Sequence, residues 1–401
     1  MTKLIGYINS GWNTCVRETP KDEDDILGVP YPYTVPSTEA FNELYYWDTY
    51  FTNVGLIKSD KAMLAKNNTD NMLYLVNKYG FMPNGNRTRY LNRSQPPFLS
   101  QMVRDLYDYY KDDVWLRGAY DSLKKEYSYW MTKRLTKCGL NGYDCILDEC
   151  DVAEAAKMFR ERVNVEIELD DKNYARHGMV TAESGWDMNP RWELDGYNYA
   201  HVDLNSLLYL LETNMSYFSG VLNLGEENLW NERSRRRIEL MDELMLDENN
   251  LFFDYNFKTG KLSKVFSAAS LYPMFAKLAT RQQAEAIVSN LHRLEENYGV
   301  VCCEKGSGEI KYQWDYPNGW ACIQYVAIKA LDNYGYIDAA ERIAKKYTMV
   351  VEKTFEKTGN LWEKYNVVDG SINVQDEYEM PTMFGWSAGI YLAAYDYLNN
   401  K

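Results

Sequence analysis

Apolar residues recur at helical spacing through most of this chain. Beginning at Leu204 they fall at Leu204, Leu207, Leu208, Leu211, Met215 and Phe218, the i, i+3, i+4, i+7 pattern of one buried helical face. Comparable stripes predict helices over 61–79, 101–110, 113–134, 226–245, 281–296 and 337–357. Two further segments, 320–334 and 386–398, are apolar around most of their circumference and predict helices buried on more than one side. Alternating, strand-like patterning is short and confined to connections such as 250–255. Gly80, Gly335 and Gly359 stand where three of the stripes stop, each suited to ending a helix. No Pro/Gly/Ser linker divides the chain, so one domain over 1–401 is expected, with 138–182 as a candidate insertion because it is acidic and irregular as far as 173. Outer amphipathic helices alternating with more apolar inner ones predict an all-α fold, a double-layered (α/α)6 toroid. A solenoid would require a fixed-period repeat, and none is visible.

Composition narrows the function. A net charge of -14 repels phosphate backbones and anionic membranes, which argues against nucleic acid and phosphorylated substrates. No glycine-rich phosphate loop is present, and His177, His201 and His292 lack metal-ligand spacing, so neither metal nor cofactor is expected. The seven cysteines are odd in number and include no CxxC pair, the pattern of free thiols in a reducing compartment. The N-terminus carries no signal-like apolar stretch, and no run is long enough to span a bilayer. The expectation is a soluble cytoplasmic protein without a membrane anchor or an obligate protein partner. What stands out is the aromatic content, 15% of residues with 35 Tyr and 11 Trp. Such rings, apolar in body and polar at the tip, suit a surface that meets a wet ligand.

Four tryptophans precede an acid directly: Trp47-Asp48, Trp186-Asp187, Trp314-Asp315 and Trp362-Glu363. Each pair sits among Tyr, Asn, Gln, Arg, Gly or Pro, as in YYWDTYF, ESGWDMNPRW, QWDYPNGWA and LWEKYN. A ring against the C–H face of a pyranose, beside a carboxylate that accepts from its hydroxyls, is what a neutral-sugar pocket requires. Two carboxyls in such a pocket can also break a glycosidic bond. Pro190 and Pro317 follow two of the acids closely, so the pairs are expected in loops or first helical turns at one end of the toroid.

In order along the chain stand FNELYYWDTYF (41–51), PNGNRTRYLNRSQPP (83–97), ESGWDMNPRW (183–192), VDLNSL (202–207), QWDYPNGWA (313–321), EKY (363–365), and EY followed by FGW (377–378, 384–386). This series closely resembles the trehalase family of glycoside hydrolases, from about residue 31 to 395. The resemblance implies an (α/α)6 toroid and hydrolysis of an α-glucoside with inversion at the anomeric carbon. It implies Asp187 as the general acid and Glu363 as the general base. It further implies that the cleaved glucose is held by Trp47, Asp48, Asn84, Arg93, Gln95, Gly185, Gln313 and Trp314, with Phe41, Tyr46, Trp186 and Asp315 from the same motifs. Glu377 matches a ligand-contacting glutamate on the family's lid loop.

Physical reasoning supports the two leading roles. An inverting enzyme needs a protonated carboxyl at the glycosidic oxygen and an ionised one across the ring, roughly 6.5–9.5 Å away with a water between. Trp186 and Met188 would desolvate Asp187 and keep it protonated. Lys364, turned inward, would keep Glu363 charged. Each residue also has an ordinary structural reading: helix N-cap for Asp187, surface ion pair for Glu363, buried-acid neutraliser for Arg93, core packing for His201 and the tryptophans, a solvated helix face for 233–237.

The departures from the family fall on the leaving sugar and the lid. The Gly-Gly-Arg run before Phe41 is Thr38-Glu39-Ala40, and an Arg-Pro-Glu that holds the second glucose has no counterpart between Cys150 and Ala182. DGSINVQD replaces a glycine-rich run before Glu377, and Cys322 stands where a proline is usual. Arg87, Arg89, Arg176 and Arg191 are the candidates to replace a missing arginine. The expected substrate is therefore a small neutral α-glucoside, α,α-trehalose first, with a kojibiose- or sucrose-like glucoside or a non-catalytic sugar-binding role as alternatives. An epimerase of the same toroid would transfer protons through histidines, and none lies in these motifs.

Overall fold

The computed structural model describes residues 3–163, 168–306, 312–374, 379–382 and 385–399. Fourteen α-helices occur among them: α1 (Lys3–Gly11), α2 (Tyr46–Lys58), α3 (Ala62–Tyr79), α4 (Leu99–Tyr110), α5 (Asp113–Lys133), α6 (Val152–Val163), α7 (Asp171–Ser184), α8 (Val202–Val221), α9 (Glu227–Leu244), α10 (Tyr272–Phe275), α11 (Arg281–Ser289), α12 (Ala321–Asn333), α13 (Ile337–Thr358) and α14 (Gly385–Asn399). The strands are two or three residues long and pair as antiparallel ribbons in the connections.

Burial separates the helices into two layers. Eleven of the thirteen residues of α2 are buried, but only four of the eighteen in α9, so α2 is an inner helix and α9 an outer one. The inner ring runs α2, α4, α8, α10, α12, α14 and returns to α2. Between them in sequence lie the outer helices: α3, α5, α9 and α13 pack on their inner neighbours. α11 is tied to α9 by Gln283 Nε2 donating to Asp242 Oδ1 (2.8 Å), and α1 meets α13 through Tyr7 and Phe355, ring centroids 5.0 Å apart. This is the expected (α/α)6 toroid. Closure of the ring depends on Gly55 and Gly389. A Cβ on Gly55 would lie 2.3 Å from the Gly389 Cα, and one on Gly389 would lie 2.3 Å from the Phe51 carbonyl oxygen. Only hydrogen at both positions lets the first and last inner helices touch backbone to backbone.

Local signals account for most helix ends. Asp112 and Asp170 cap α5 and α7 by accepting from Trp115 N and Asn173 N, and Thr280 with Gln283 forms a capping box on α11. Gly80 and Gly359 end α3 and α13 in the left-handed region, as the sequence predicts. The stripe over 281–296 overshoots: α11 stops at Ser289, and Glu295–Glu296 instead pairs with Gly299–Val300 in a short hairpin. Within 138–182 lie α6 and most of α7. These two pack on each other and share an apolar cluster of their own, including Ala155, Phe159, Tyr174, Met179 and Met188. No described helix is long and apolar enough to cross a membrane.

Candidate active site

The remote motifs meet because buried polar groups tie their loops together. Glu183, at the end of α7, accepts from Ser94 N, Asp144 N and the Arg134 guanidinium, all within 2.8 Å. Asn84 Nδ2 donates to Ala182 O, Asn84 O accepts from Tyr46 N, and Gln95 Oε1 accepts from Trp47 N. The 83–97 loop is thereby fastened to the start of α2 and to the end of α7. Arg191 lies wholly inside, with Nη2 on Asp203 (2.7 Å) and Nε on Asp254 (3.0 Å), and stacks on Trp186 and Trp192. It anchors the turn that carries Asp187. Across the mouth, strand Asn318–Trp320 pairs antiparallel with Lys364–Asn366, Trp320 opposite Lys364, so the Gln313–Trp314 loop and Glu363 share one ribbon. The Glu363 carbonyl accepts from Trp386 Nε1 (3.1 Å) at the start of α14.

These loops enclose a cavity of about 890 Å³. Asp187 and Glu363 both line it, together with Phe41, Trp47, Asp48, Asn84, Arg93, Gln95, Gly185, Gln313 and Trp314. Its floor is aromatic: Trp314 stacks on Trp320 at 3.9 Å, and Trp47 and Trp386 close against them. Two buried polar atoms in the wall, Arg93 Nε and Gln313 Oε1, have no hydrogen-bond partner among the described residues. An unpartnered buried donor and acceptor on one cavity call for a polar ligand.

Three expected contacts lie off the cavity. Tyr46 is buried, its hydroxyl donating to Glu126 and accepting from Leu99 N, so it fastens α2 to its neighbours. Trp186 lies behind Trp314, ring centroids 5.5 Å apart, as a backing layer. Asp315 accepts from Tyr316 N (2.7 Å), and burial pushes its carboxyl up to about 6. Trp362, the fourth tryptophan of the pairs, bonds to Thr358 Oγ1. Glu377 lies outside the described residues. Of the arginines weighed as replacements, Arg89 alone lines the cavity; Arg87, Arg176 and Arg191 are engaged by Asp25 and Glu43, by Asp144, and by Asp203 and Asp254.

The sequence reading missed several lining residues. Trp320 and Trp386 stand inside recognised motifs but read as the openings of buried helices. Tyr45 and Tyr90 bond to each other at 2.9 Å on the rim. Arg162, from α6, has Nη1 3.7 Å from Asp187 Oδ2. No periodicity or motif marks Arg162, because its place depends on how α6 lies over the toroid.

Electrostatics distinguish the carboxyls. Asp187 follows Gly185, which ends α7 in the left-handed region, so it caps no helix N-terminus. Burial raises its carboxyl above the usual range, opposed by Arg162 and then Arg93. Asp48, in the first turn of α2, is pushed up to about 8 by burial and by the charges of Glu363 and Asp187. Lys364 turns inward: its Nζ is 2.6 Å from Glu363 Oε2 and 4.6 Å from the Trp320 ring centroid, with both side chains almost wholly buried. A cation in contact with a carboxylate favours its charged form, the form a general base needs. The histidines take no part in the cavity wall. His177 and His201 are buried in the core and pushed down to about 4 and about 3 by desolvation.

Gly185 sets the distance between the acid's turn and the aromatic floor. It has φ +72°, and a Cβ there would lie 2.5 Å from Trp47 Cε2. Gly185→Ala is expected to displace Trp47, lowering stability by about 1–3 kcal/mol through overpacking and raising KM. Thermal unfolding and steady-state kinetics check this, and an unchanged KM would contradict the placement of Trp47 against the substrate.

A helical toroid whose cavity combines aromatic rings, amides and carboxyls defines the class: the protein is a glycoside hydrolase. Comparison with known proteins narrows the class. The chain belongs to the trehalase family, whose model matches residues 2–399. It is 32% identical to the periplasmic trehalase of Xanthomonas campestris pv. campestris (strain B100), covering 98% of this chain and 72% of that protein. It is equally 32% identical to the periplasmic trehalase of Pseudomonas aeruginosa, covering 97% and 75%. Among solved structures, neutral trehalase Nth1 from Saccharomyces cerevisiae superposes with a TM-score of 0.80 at 27% identity, covering all of this chain and 80% of that one. A mannosylglycerate hydrolase from Thermus thermophilus shares the fold, with a TM-score of 0.67 at 17% identity over 97% of this chain and 99% of that one.

The bacterial relatives overturn the expected cytoplasmic location, since both are named periplasmic trehalases. The unpaired cysteines are no guide to the compartment, for a physical reason. Cys15, Cys302, Cys303 and Cys322 are sealed in the core, and burial pushes their thiols up, so their unpaired state does not report the redox state outside.

Proposed function

We propose that this protein hydrolyses α,α-trehalose to two glucose molecules with inversion, Asp187 acting as general acid and Glu363 as general base. The observation that carries the reading is their common cavity, with Asn84, Arg93, Gln95 and Gln313 beside an aromatic floor. Asp187, whose carboxyl is raised above the usual range by burial, gives its proton to the glycosidic oxygen as the C1–O bond breaks. Glu363 takes a proton from a water whose oxygen bonds to C1 on the opposite face, so one glucose leaves as the β-anomer. Arg93 Nε and Gln313 Oε1 meet hydroxyls of the cleaved glucose, and Trp47 or Trp314 lies against its C–H face. Asp48, neutral near pH 7, both donates to and accepts from a hydroxyl.

Incubation with α,α-trehalose, kojibiose and sucrose, followed by NMR at early times, tests this. Glucose release from trehalose with β-glucose appearing first is the expected result. Release from another α-glucoside but not trehalose would redirect the substrate, and an α-only product would refute inversion.

A further inference from the structure

A second cavity, of about 300 Å³, lies between the outer helices α5 and α9, apart from the site described above. Both helices rest on α8, and at the floor of the gap Tyr127 meets Trp230 edge to face, ring centroids 5.1 Å apart. The polar tips of both rings are satisfied inside: the Tyr127 hydroxyl donates to Glu212, and Trp230 Nε1 donates to the Tyr120 hydroxyl. What they offer the cavity is therefore apolar ring surface, and Met131 and the exposed Leu229 add apolar walls. Charge singles the place out further. Lys124 pairs with Glu226 at 3.0 Å, so those two charges cancel. Within the basic run 233–237, Arg235 and Arg236 pair with Glu239, and Arg237 is buried on Glu212. Arg233 differs from them. It is half-buried and has no acid partner among the described residues, and its guanidinium lies 4.5 Å from the Trp230 ring centroid and 5.0 Å from that of Tyr127. The run is thus not the uniformly solvated face that its sequence suggests.

We infer that this cavity is a binding site for a small organic anion, a carboxylate or phosphate on a flat apolar body, with Arg233 as its counter-charge. It does not depend on the acid and base roles proposed above. A guanidinium held over aromatic rings keeps N–H groups free at its edge, and a carboxylate or phosphate matches that fork with two parallel hydrogen bonds. Partial withdrawal from water strengthens those bonds. The apolar walls and ring surfaces then take the body of the ligand. Small-molecule sites span roughly 300–1,000 Å³, so a cavity at the lower end of that range suits a body about the size of a single ring. A net charge of -14 repels anions from the molecule as a whole, and a local excess of positive charge is what lets one settle here.

Titration calorimetry of the whole chain at low ionic strength tests this, with benzoate and phenyl phosphate as probes and benzamide as the neutral counterpart of benzoate. A single bound anion per chain is expected, at least about tenfold tighter than benzamide, the scale of a charge-assisted hydrogen bond. The tighter of the two anions identifies the head group. Arg233→Gln should weaken that anion at least about tenfold, and Arg233→Lys by less, because the charge remains and the fork is lost. Leu229→Glu leaves Arg233 in place and sets a carboxylate on the exposed rim, so it should weaken the anion as well. Bound anion should raise the unfolding temperature of the parent chain and leave that of Arg233→Gln where it was. Should Arg233→Gln lose its fold, Leu229→Glu decides the matter alone. Binding of neither anion, or benzamide binding as tightly as benzoate, would overturn the inference. So would full affinity in the groove variants, which would place the anion elsewhere, as among the arginines of the catalytic cavity.

Discussion

Asp187→Asn and Glu363→Gln should each lower trehalose turnover at least about a hundredfold. Asp187→Asn should leave thermal unfolding nearly unchanged. Glu363→Gln leaves the buried Lys364 ammonium without its carboxylate and should lower stability, though by less than Lys364→Met because the amide oxygen still accepts a hydrogen bond. The asparagine cannot deliver a proton to the departing oxygen, and the glutamine cannot take one from water. Both substitutions keep the side chain's shape, so the cavity remains intact. With Asp187 as the proposed general acid, the alkaline limb of the pH profile of the unaltered enzyme should belong to Asp187. Burial raises that carboxyl, so the protonated form persists above the usual carboxylate range and activity falls as pH rises through the raised value. That limb should vanish from the residual activity of Asp187→Asn. Near-normal turnover in either variant would refute the assignment.

Lys364→Met should produce the largest loss of stability of any substitution considered. Its ammonium and the Glu363 carboxylate are in contact at 2.6 Å with essentially no exposure. Removing one partner of such a pair leaves an uncompensated buried charge, a cost of about 3–5 kcal/mol. Turnover should fall as well, because a Glu363 that takes up a proton to escape that cost can no longer act as a base. The double variant Lys364→Met, Glu363→Gln should recover much of the stability and none of the activity, a coupling that denaturant titration of all three variants measures. A single Lys364→Met variant as stable as the parent would show that the contact carries no such weight.

Some of this architecture was legible in the chain because it is written locally. The stripes over 61–79, 113–134 and 337–357 coincide closely with α3, α5 and α13, since one apolar face every 3.6 residues needs no knowledge of its partner. α6 and α10 were not legible. α6 lies in an acidic segment, and α10 is a single buried turn that continues a 3-10 segment, too short for a period to register. The site shows the same division. The motifs placed Trp47, Asp48, Asn84, Arg93, Gln95, Gly185, Gln313 and Trp314 together, and the cavity holds all of them. Tyr46, Trp186 and Asp315, adjacent in the same motifs, fall behind the wall because neighbouring residues on a helix or turn point in different directions.

By itself the sequence determined the class of fold and the chemistry on offer. Helical periodicity dictates amphipathic helices, and acids beside tryptophans in ordered motifs dictate a sugar pocket. Only the tertiary structure decided which of those groups share a space. Glu183 and Arg191 join loops that lie far apart in the chain, Lys364 turns inward onto Glu363, and Arg162 reaches Asp187 from another helix. Contacts of that kind depend on packing and on the need to satisfy every buried polar group, which no local pattern encodes.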